Sequence, residues 1–398
     1  MTATEITLEV EDVAHGGHCV ARQDGRVVFV RHALPGERVV ARLTDAGPEA
    51  SFWRADAVEI LSASADRVPH VWPEAGPGGI GGAELGHVSL DGQLAWKGAV
   101  LRDAFERFAG LEFPGGVRRA PEDADGLGYR TRVEAVADAE GRAAMRAFRS
   151  HEIHTLTAMP LATAEAERAL LGQRFPAGAR IGVVDASASG IFVTVDGARW
   201  HGGRRDMREN APRRVREQVV VGERTLEYSV DATGFWQVHR EAPSLLAGRV
   251  AALAGQGDAA LELYSGAGLL TVPLADSFAA VVSIEADSNA VRAARRNLAD
   301  SPHVRLVEGD VGARLAAGVG RHDVVVLDPP RSGAGRAILE AVAGTGARRI
   351  VYVACDPVAL ARDAGTLGPL GYELASAEAW DLFPMTHHVE AIAVFEHP

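Results

Sequence analysis

Residues Leu261-Glu262-Leu263-Tyr264-Ser265-Gly266-Ala267-Gly268 decide the fold: an apolar strand runs straight into a glycine turn that opens a helix. Glycine lets the backbone approach a ligand closely. The turn is not a full Gly-x-Gly-x-x-Gly phosphate loop, because Thr271 stands at its third position. From Gly257 onward strand and helix alternate. The spacing predicts strands at 259–264, 280–285, 304–307, 323–327 and 349–354, then near 372–378 and 389–396. Helices are expected near 267–276, 287–299, 335–344 and 357–366. This is an α/β pattern: a parallel, doubly wound, Rossmann-like sheet with a final antiparallel hairpin, whose ligands bind at the carboxyl ends of the strands.

Several strand ends carry chemistry. Ser283-Ile284-Glu285 ends the second strand with an acid about 20 residues beyond the glycine turn, a placement that suits ribose hydroxyls. Asp310 follows the third strand and either caps the next turn or faces a ligand. Asp328-Pro329-Pro330-Arg331 ends the fourth strand, and its two prolines fix the exit of the acid. Ile350-Val351-Tyr352-Val353-Ala354-Cys355 ends the fifth on a thiol beside the expected helix at 357–366. A helix N-terminus lowers a thiol pKa when geometry is favourable. Glu390 heads the apolar strand Ala391–Phe395, where desolvation raises a carboxyl toward a useful base. His387 and His388 read as loop and packing residues; on an extended segment neighbours point to opposite faces and make poor joint ligands.

Upstream, residues 1–60 read as five short strands with turns at Asp24-Gly25 and Pro35-Gly36, a pattern that suits a small OB-like β-barrel. Residues 62–90, with Gly76-Pro77-Gly78-Gly79-Ile80-Gly81-Gly82, form a loop or linker. A helix capped by Ser89 runs toward Gly110. Strands within 129–153 and 181–195 flank a helix near 164–171, a second α+β unit.

Composition narrows the class. Of 398 residues, 47% are hydrophobic and 24% charged, as in a globular protein. No apolar run is long enough to span a bilayer, and Met1–Val10 is unlike a signal peptide, so a cytoplasmic protein without a membrane partner is expected. Two cysteines exclude a disulfide framework and a Cys-rich metal site. Net charge is −12, yet Arg204–Arg224 holds seven arginines against four acids. That segment reads either as a solvated face or as a nucleic-acid contact.

Taken in order, these motifs resemble the RNA uracil-5-methyltransferases that use S-adenosylmethionine, the family of the tRNA and 23S rRNA m5U enzymes. The likeness runs from a TRAM-like barrel through Gln93-Leu94-Ala95-Trp96-Lys97, Tyr129-Arg130, Ser150-His151-Glu152-Ile153 and Gly234-Phe235-Trp236-Gln237-Val238-His239 to the strand-end motifs and Phe383-Pro384 through Glu390. It divides the chain into a barrel (1–60), a central α+β domain (61–232, its helix 90–110 packing on the catalytic domain) and a class I methyltransferase domain (233–398). It implies that Cys355 adds to carbon 6 of a uridine and that Glu390 removes the carbon-5 proton. It also implies that Gln237, Tyr264, Gly266, Gly268, Glu285, Asp310 and Asp328 surround the cofactor, with Asp328 beside the methyl donor or on the uracil edge. The expected partner is structured RNA, ribosomal or transfer, met by a monomer. Alternatives are a cytosine-5 enzyme or a non-catalytic RNA-binding factor.

The chain departs from the family pattern in places. Where many relatives carry a four-cysteine iron–sulfur site, residues 73–82 hold no cysteine and Met159 replaces a later one, so no cluster and no metal are expected. His239 stands for a common Asn, Ser265 for a Cys, and Asp356 for an Asn beside the thiol. A carboxylate at 356 opposes thiolate formation.

Overall fold

The computed structural model describes residues 4–47 and 49–398. Strands β1 (Glu5–Ala14), β2 (His18–Gln23), β3 (Arg26–Arg31), β4 (Arg38–Asp45) and β5 (Phe52–Ser62) close into a barrel in the order β1-β2-β3-β5-β4. Alternate residues such as Leu8, Val10, Cys19, Ala21, Val28 and Val30 fill it. The Cys19 thiol donates to the Ala33 carbonyl at 3.3 Å, and burial pushes its pKa well up, as befits an inert core residue. The following stretch is more than a linker. Trp72, Ile80, Ala83 and Leu85 are buried, and the glycines there serve a packed turn.

Helix α1 (Leu90–Ala109) starts at Ser89, whose hydroxyl accepts the Gly92 amide at 3.1 Å, and ends at Gly110 in the left-handed region. β6 (Val117–Arg119) follows. A seven-stranded sheet then forms from β7 (Arg132–Ala137), β8 (Ala143–Arg146), β9 (Ile153–Thr155), β10 (Arg180–Ala186), β11 (Gly190–Val195), β12 (Ala198–His201) and β13 (Arg204–Arg205). Helix α2 (Ala164–Leu171) covers it through Ala166 and Leu170. The arginine-rich segment continues into a hairpin, β14 (Arg214–Val221) and β15 (Arg224–Asp231), and helix α3 (Ala242–Ala254).

The remaining elements are β16 (Gly257–Leu263), α4 (Thr271–Ala275), β17 (Phe278–Glu285), α5 (Ser288–Asn297), β18 (Val304–Glu308), α6 (Val311–Ala316), β19 (Val324–Leu327), α7 (Arg336–Gly344), β20 (Arg349–Ala354), α8 (Pro357–Leu367), β21 (Glu373–Asp381) and β22 (Glu390–Glu396). They build an eight-stranded sheet in the order β18-β17-β16-β19-β20-β22-β21-β6. β16 to β20 are mutually parallel, whereas β22 is antiparallel to β20 and β21. Leu101, Ala104 and Phe105 of α1 share a core with Leu360, Ala361, Ala364 and Leu367 of α8, so an upstream helix belongs to the layer covering this sheet. The α/β class and N-terminal barrel follow the expectation from sequence.

Four details differ. The helix expected at 267–276 shrinks to Thr271–Ala275, because Gly266 and Gly268 take φ of 55° and 87° and hold the turn open. Helices α3 and α6 and the β14–β15 hairpin were not foreseen. The hairpin buries Val215, Val219, Tyr228 and Val230 on one face and turns its arginines outward, so the basic segment is a loop over residues 206–213 and strand over Arg214–Val221. His387 lies in a bend and His388 leads into β22, and their rings stand side by side with centroids 4.0 Å apart, not on opposite faces.

Candidate active site

Strand register brings the sequence candidates to one edge. Leu263 pairs with Ile284 on one side and Leu327 on the other, so Tyr264, Glu285 and Asp328 come one step later on adjacent strands. Glu285 pairs with Glu308, two residues before Asp310. On the other flank Ala354 pairs with Ala391 in antiparallel register, which sets Cys355 opposite Glu390. Asp310, Glu285, Tyr264, Asp328, Cys355 and Glu390 thus follow six neighbouring strands in spatial order. Parallel strands deliver their ends and β22 delivers its beginning to that edge.

The glycine turn is built to be held from below. Tyr264 has φ of 63°, a costly value for a side chain with a Cβ. Glu285 accepts the Gly266 amide at 2.9 Å and, through its other oxygen, the Asp287 amide at 2.7 Å. A Cβ on Gly266 would meet no atom within 4 Å, so the space beyond the turn is clear for a ligand. Asp310 accepts the Ala313 amide at 2.9 Å and caps α6. Gln237 is buried on the segment before α3; its neighbour Trp236 packs in one cluster with Ala267 of the glycine turn, while Phe235 is 78% exposed.

The edge that carries Asp328, Cys355 and Glu390 is short of counter-charge. Burial pushes Asp328 and Glu390 up, and the Asp328 charge adds to the rise of Glu390. Burial first, then the charges of Glu390 and Asp328, push the Cys355 thiol up to about 12, against the pull of Arg331. Asp356 accepts the Ala359 amide at 2.8 Å and occupies the cap of α8, so a carboxylate already holds the helix terminus beside the thiol.

Residues outside the predicted set position this edge. Gln93 and Lys97, one turn apart on α1, grip the segment leading to Glu390. Gln93 accepts the Met385 amide at 2.7 Å, and Lys97 donates to Asp381 at 2.6 Å and to the Phe383 carbonyl at 3.1 Å. Asp363 of α8 accepts the Ala334 amide at 2.7 Å and the Tyr352 hydroxyl at 2.6 Å, pinning the loop after Asp328-Pro329-Pro330-Arg331. Arg331 donates to His388 at 3.2 Å. Glu262, beneath the turn, is pushed up to about 8 by burial and hydrogen-bonds to the Thr271 and Ser283 hydroxyls. Its signal was visible, an acid inside an apolar strand. His239 is a packing residue: its ring stacks on Tyr129 with centroids 5.0 Å apart, and burial lowers its pKa to about 4.

Basic and aromatic groups line the flanks. On the barrel, Arg26 lies over Trp53 and Arg54 over Phe52, each 4.7 Å from the ring centre. Arg204, Arg205, Arg213 and Arg214 are exposed and form no ion pair among the described residues.

A doubly wound sheet with a glycine turn after its first strand, and a thiol and acids along one edge, defines a nucleoside-cofactor methyltransferase fold. The tRNA (uracil-5-)-methyltransferase family matches residues 206–308 and 319–397, and the TRAM domain family matches residues 1–56. An uncharacterized RNA methyltransferase of Streptomyces avermitilis is 41% identical over 98% of this chain and 98% of its own. The 23S rRNA (uracil(1939)-C(5))-methyltransferase RlmD of Halomonas elongata is 31% identical over 98% of this chain and 89% of its own. A Pyrococcus abyssi tRNA (uracil-54, C5)-methyltransferase, solved with S-adenosyl-L-homocysteine, shares the fold at a TM-score of 0.72 and 19% identity over 98% of this chain and all of that one. The chain belongs to the TRAM-bearing RNA uracil-5-methyltransferase family, whose members are S-adenosylmethionine-dependent enzymes. No helix among the described residues is long and apolar enough to cross a membrane.

Proposed function

We propose that this enzyme methylates carbon 5 of a uridine in structured RNA through a covalent bond between Cys355 and carbon 6. The observation that carries the reading is the β20–β22 register, which sets a thiol and a buried carboxyl opposite each other beside Asp328. S-adenosylmethionine supplies the electrophilic methyl group. Tyr264, Gly266, Gly268, Glu285 and Asp310 would hold it at the glycine turn, with Gln237 closing over it and Asp328 between cofactor and base. The clear space beyond Gly266 fits such a ligand.

Carbon 5 of uracil is a weak nucleophile. The resting thiol is protonated, so its proton passes to the neighbouring Asp328 carboxylate as the Sγ–C6 bond forms and the ring becomes an enolate. Carbon 5 then takes the methyl group with the enolate electron pair as S-adenosylhomocysteine departs, and Asp328 returns its proton to Cys355 once the thiolate is released. Glu390, as carboxylate, removes the proton left on carbon 5; that electron pair restores the C5–C6 double bond and expels the Cys355 thiolate. Burial and the Asp328 charge raise the Glu390 pKa, which strengthens it as a base in its ionised form. A stacked uridine is out of reach, so the target is flipped out or lies in a loop. The barrel and the arginine face of the hairpin would hold the surrounding RNA through phosphates and stacking.

Two further properties belong to this reading. The chain has two cysteines, one inside the barrel and one at the reacting edge, too few for a four-thiolate cluster, so the enzyme works without iron–sulfur. It acts in the cytoplasm, as a monomer. Incubation with labelled S-adenosylmethionine and RNA from a strain lacking the gene tests the substrate, with 23S rRNA and tRNA as separate arms. Label should appear as 5-methyluridine in one of them. Label in 5-methylcytidine, or none in either RNA, contradicts the reading.

A further inference from the structure

We propose that His32, His70 and His87 form a binding site for a zinc-type divalent cation that fastens the barrel to the segment joining it to α1. One potential ligand nitrogen from each ring lies within 4.8 Å of the other two. The ring centres form a nearly equilateral triangle, with sides of 6.3, 5.9 and 6.1 Å. Three imidazoles on one zinc at roughly 2.0–2.1 Å would have their centres about 5 to 5.5 Å apart, so the site needs only a slight contraction.

Burial supplies a second, independent observation. His32 is 6% exposed and His87 is 3% exposed. Neither ring nitrogen of His32 has a hydrogen-bond partner among the described residues, and neither has Nδ1 of His87 or Nε2 of His70. A buried polar atom left without a partner costs about 1–3 kcal/mol, so three rings that each turn one unpartnered nitrogen to the cluster favour a shared ligand. The outer contacts suit ligation. His87 directs Nε2 to the Ala33 carbonyl at 3.4 Å, which leaves the Nδ1 lone pair facing the triangle. His70 accepts the Trp72 amide at Nδ1, 3.1 Å away, so coordination through Nε2 moves the ring proton to Nδ1 at the expense of that hydrogen bond.

Backbone geometry gives a third observation. His32 holds φ of 60° in the turn between β3 and β4, a region that glycine enters more easily than histidine. A bulky ring at such a position is strained, and it is aimed at two other imidazoles. The neighbouring arginines do not exclude a cation. Arg31 is paired with Asp56 at 2.7 Å and Arg67 with Glu37 at 2.5 Å, while the Glu84 carboxylate acts on His32 and His70 with the opposite sign. Neutral imidazole is a good ligand for zinc.

The test uses the full chain, stripped with a chelator and titrated with Zn²⁺ or Co²⁺, read by bound metal and by melting temperature. His32→Gly removes a ligand at a position glycine prefers, so the variant should fold at least as well as the wild type without metal. His387→Ala controls for metal caught at the half-buried histidine pair, His387 and His388. The wild type and His387→Ala should bind one equivalent, with a higher melting temperature on loading. His32→Gly should bind at least a hundredfold more weakly and show no such rise. Equal uptake by wild type and His32→Gly, or no uptake and no thermal shift in the wild type, overturns the site in favour of an enclosed water. Neither readout uses methyl transfer, so the result is independent of the proposed reaction.

Discussion

His15, in the turn between β1 and β2, places Nε2 3.2 Å from Oδ2 of Asp356, the residue that follows Cys355. The barrel therefore reaches the reacting edge instead of standing off as a separate RNA grip. Burial alone would raise Asp356, but the His15 and Ala359 hydrogen bonds hold its carboxyl below the usual range. That leaves a charge beside the thiol which adds to its already raised pKa.

Asp356→Asn removes the charge and keeps a side-chain oxygen to cap α8. The pH dependence of adduct formation should move to lower pH, with a several-fold faster rate at neutral pH. His15→Ala should change the profile in the wild type and have little effect in the Asp356→Asn background. An unchanged profile in Asp356→Asn removes the charge from the account.

Lys97 and Asp381 are a fully buried pair, with side chains 0% and 3% exposed. Removing one partner of such a pair costs about 3–5 kcal/mol. Lys97→Met should lower the denaturation midpoint accordingly, and Lys97→Met with Asp381→Leu should recover much of the loss. Because the pair anchors the path to Glu390, release of product should slow in Lys97→Met even where it remains folded.

Glu262 gives a pH dependence with a defined sign. Its carboxyl is pushed up to about 8 in the folded chain, so between its unfolded value near 4.5 and 8 the native state holds a proton that the unfolded state has lost. Stability from this group is full below the lower value and falls as pH rises, by at most ~1.4 kcal/mol per unit. Glu262→Gln should flatten that slope in denaturation curves taken across this range. A slope that is identical in the variant contradicts a neutral buried acid.

Glu285 and Asp310 should separate in binding. Glu285→Ala frees the Gly266 amide of the glycine turn and the Asp287 amide at the start of α5, and should weaken S-adenosylhomocysteine binding at least tenfold by calorimetry. Asp310→Ala removes a helix cap, worth about 1 kcal/mol of stability. If Asp310 also touches the cofactor, its variant weakens binding by more than that loss of stability accounts for.

Most of this architecture is readable along the chain because its signals are local. The barrel strands alternate, Ser89 and Gly110 bracket α1, and a glycine, acids and a thiol mark successive strand ends. What was missed depends on contacts or on weak local signals. Helix α3 has no side-chain cap at Glu241 and is rich in alanine, so it shows little periodicity. Helix α6 has six residues and includes Gly312. In β14 the valines at 215 and 219 fall on one face as a strand should, but Arg214, Arg216 and Glu217 around them read as a charged face. Lys97–Asp381 joins residues 284 apart in sequence, and the pull of Glu390 and Asp328 on the thiol appears only once register brings them together.

The central claim is the bond between Cys355 and carbon 6. Fluorine at carbon 5 of the target uridine blocks the final proton removal and so arrests the enzyme on its RNA. Incubating the full chain with S-adenosylmethionine and 5-fluorouridine-containing substrate RNA should give a denaturant-stable protein–RNA adduct. Cys355→Ala should give none. Equal trapping by Cys355→Ala, or no adduct from a wild type that methylates the unmodified RNA, contradicts the account.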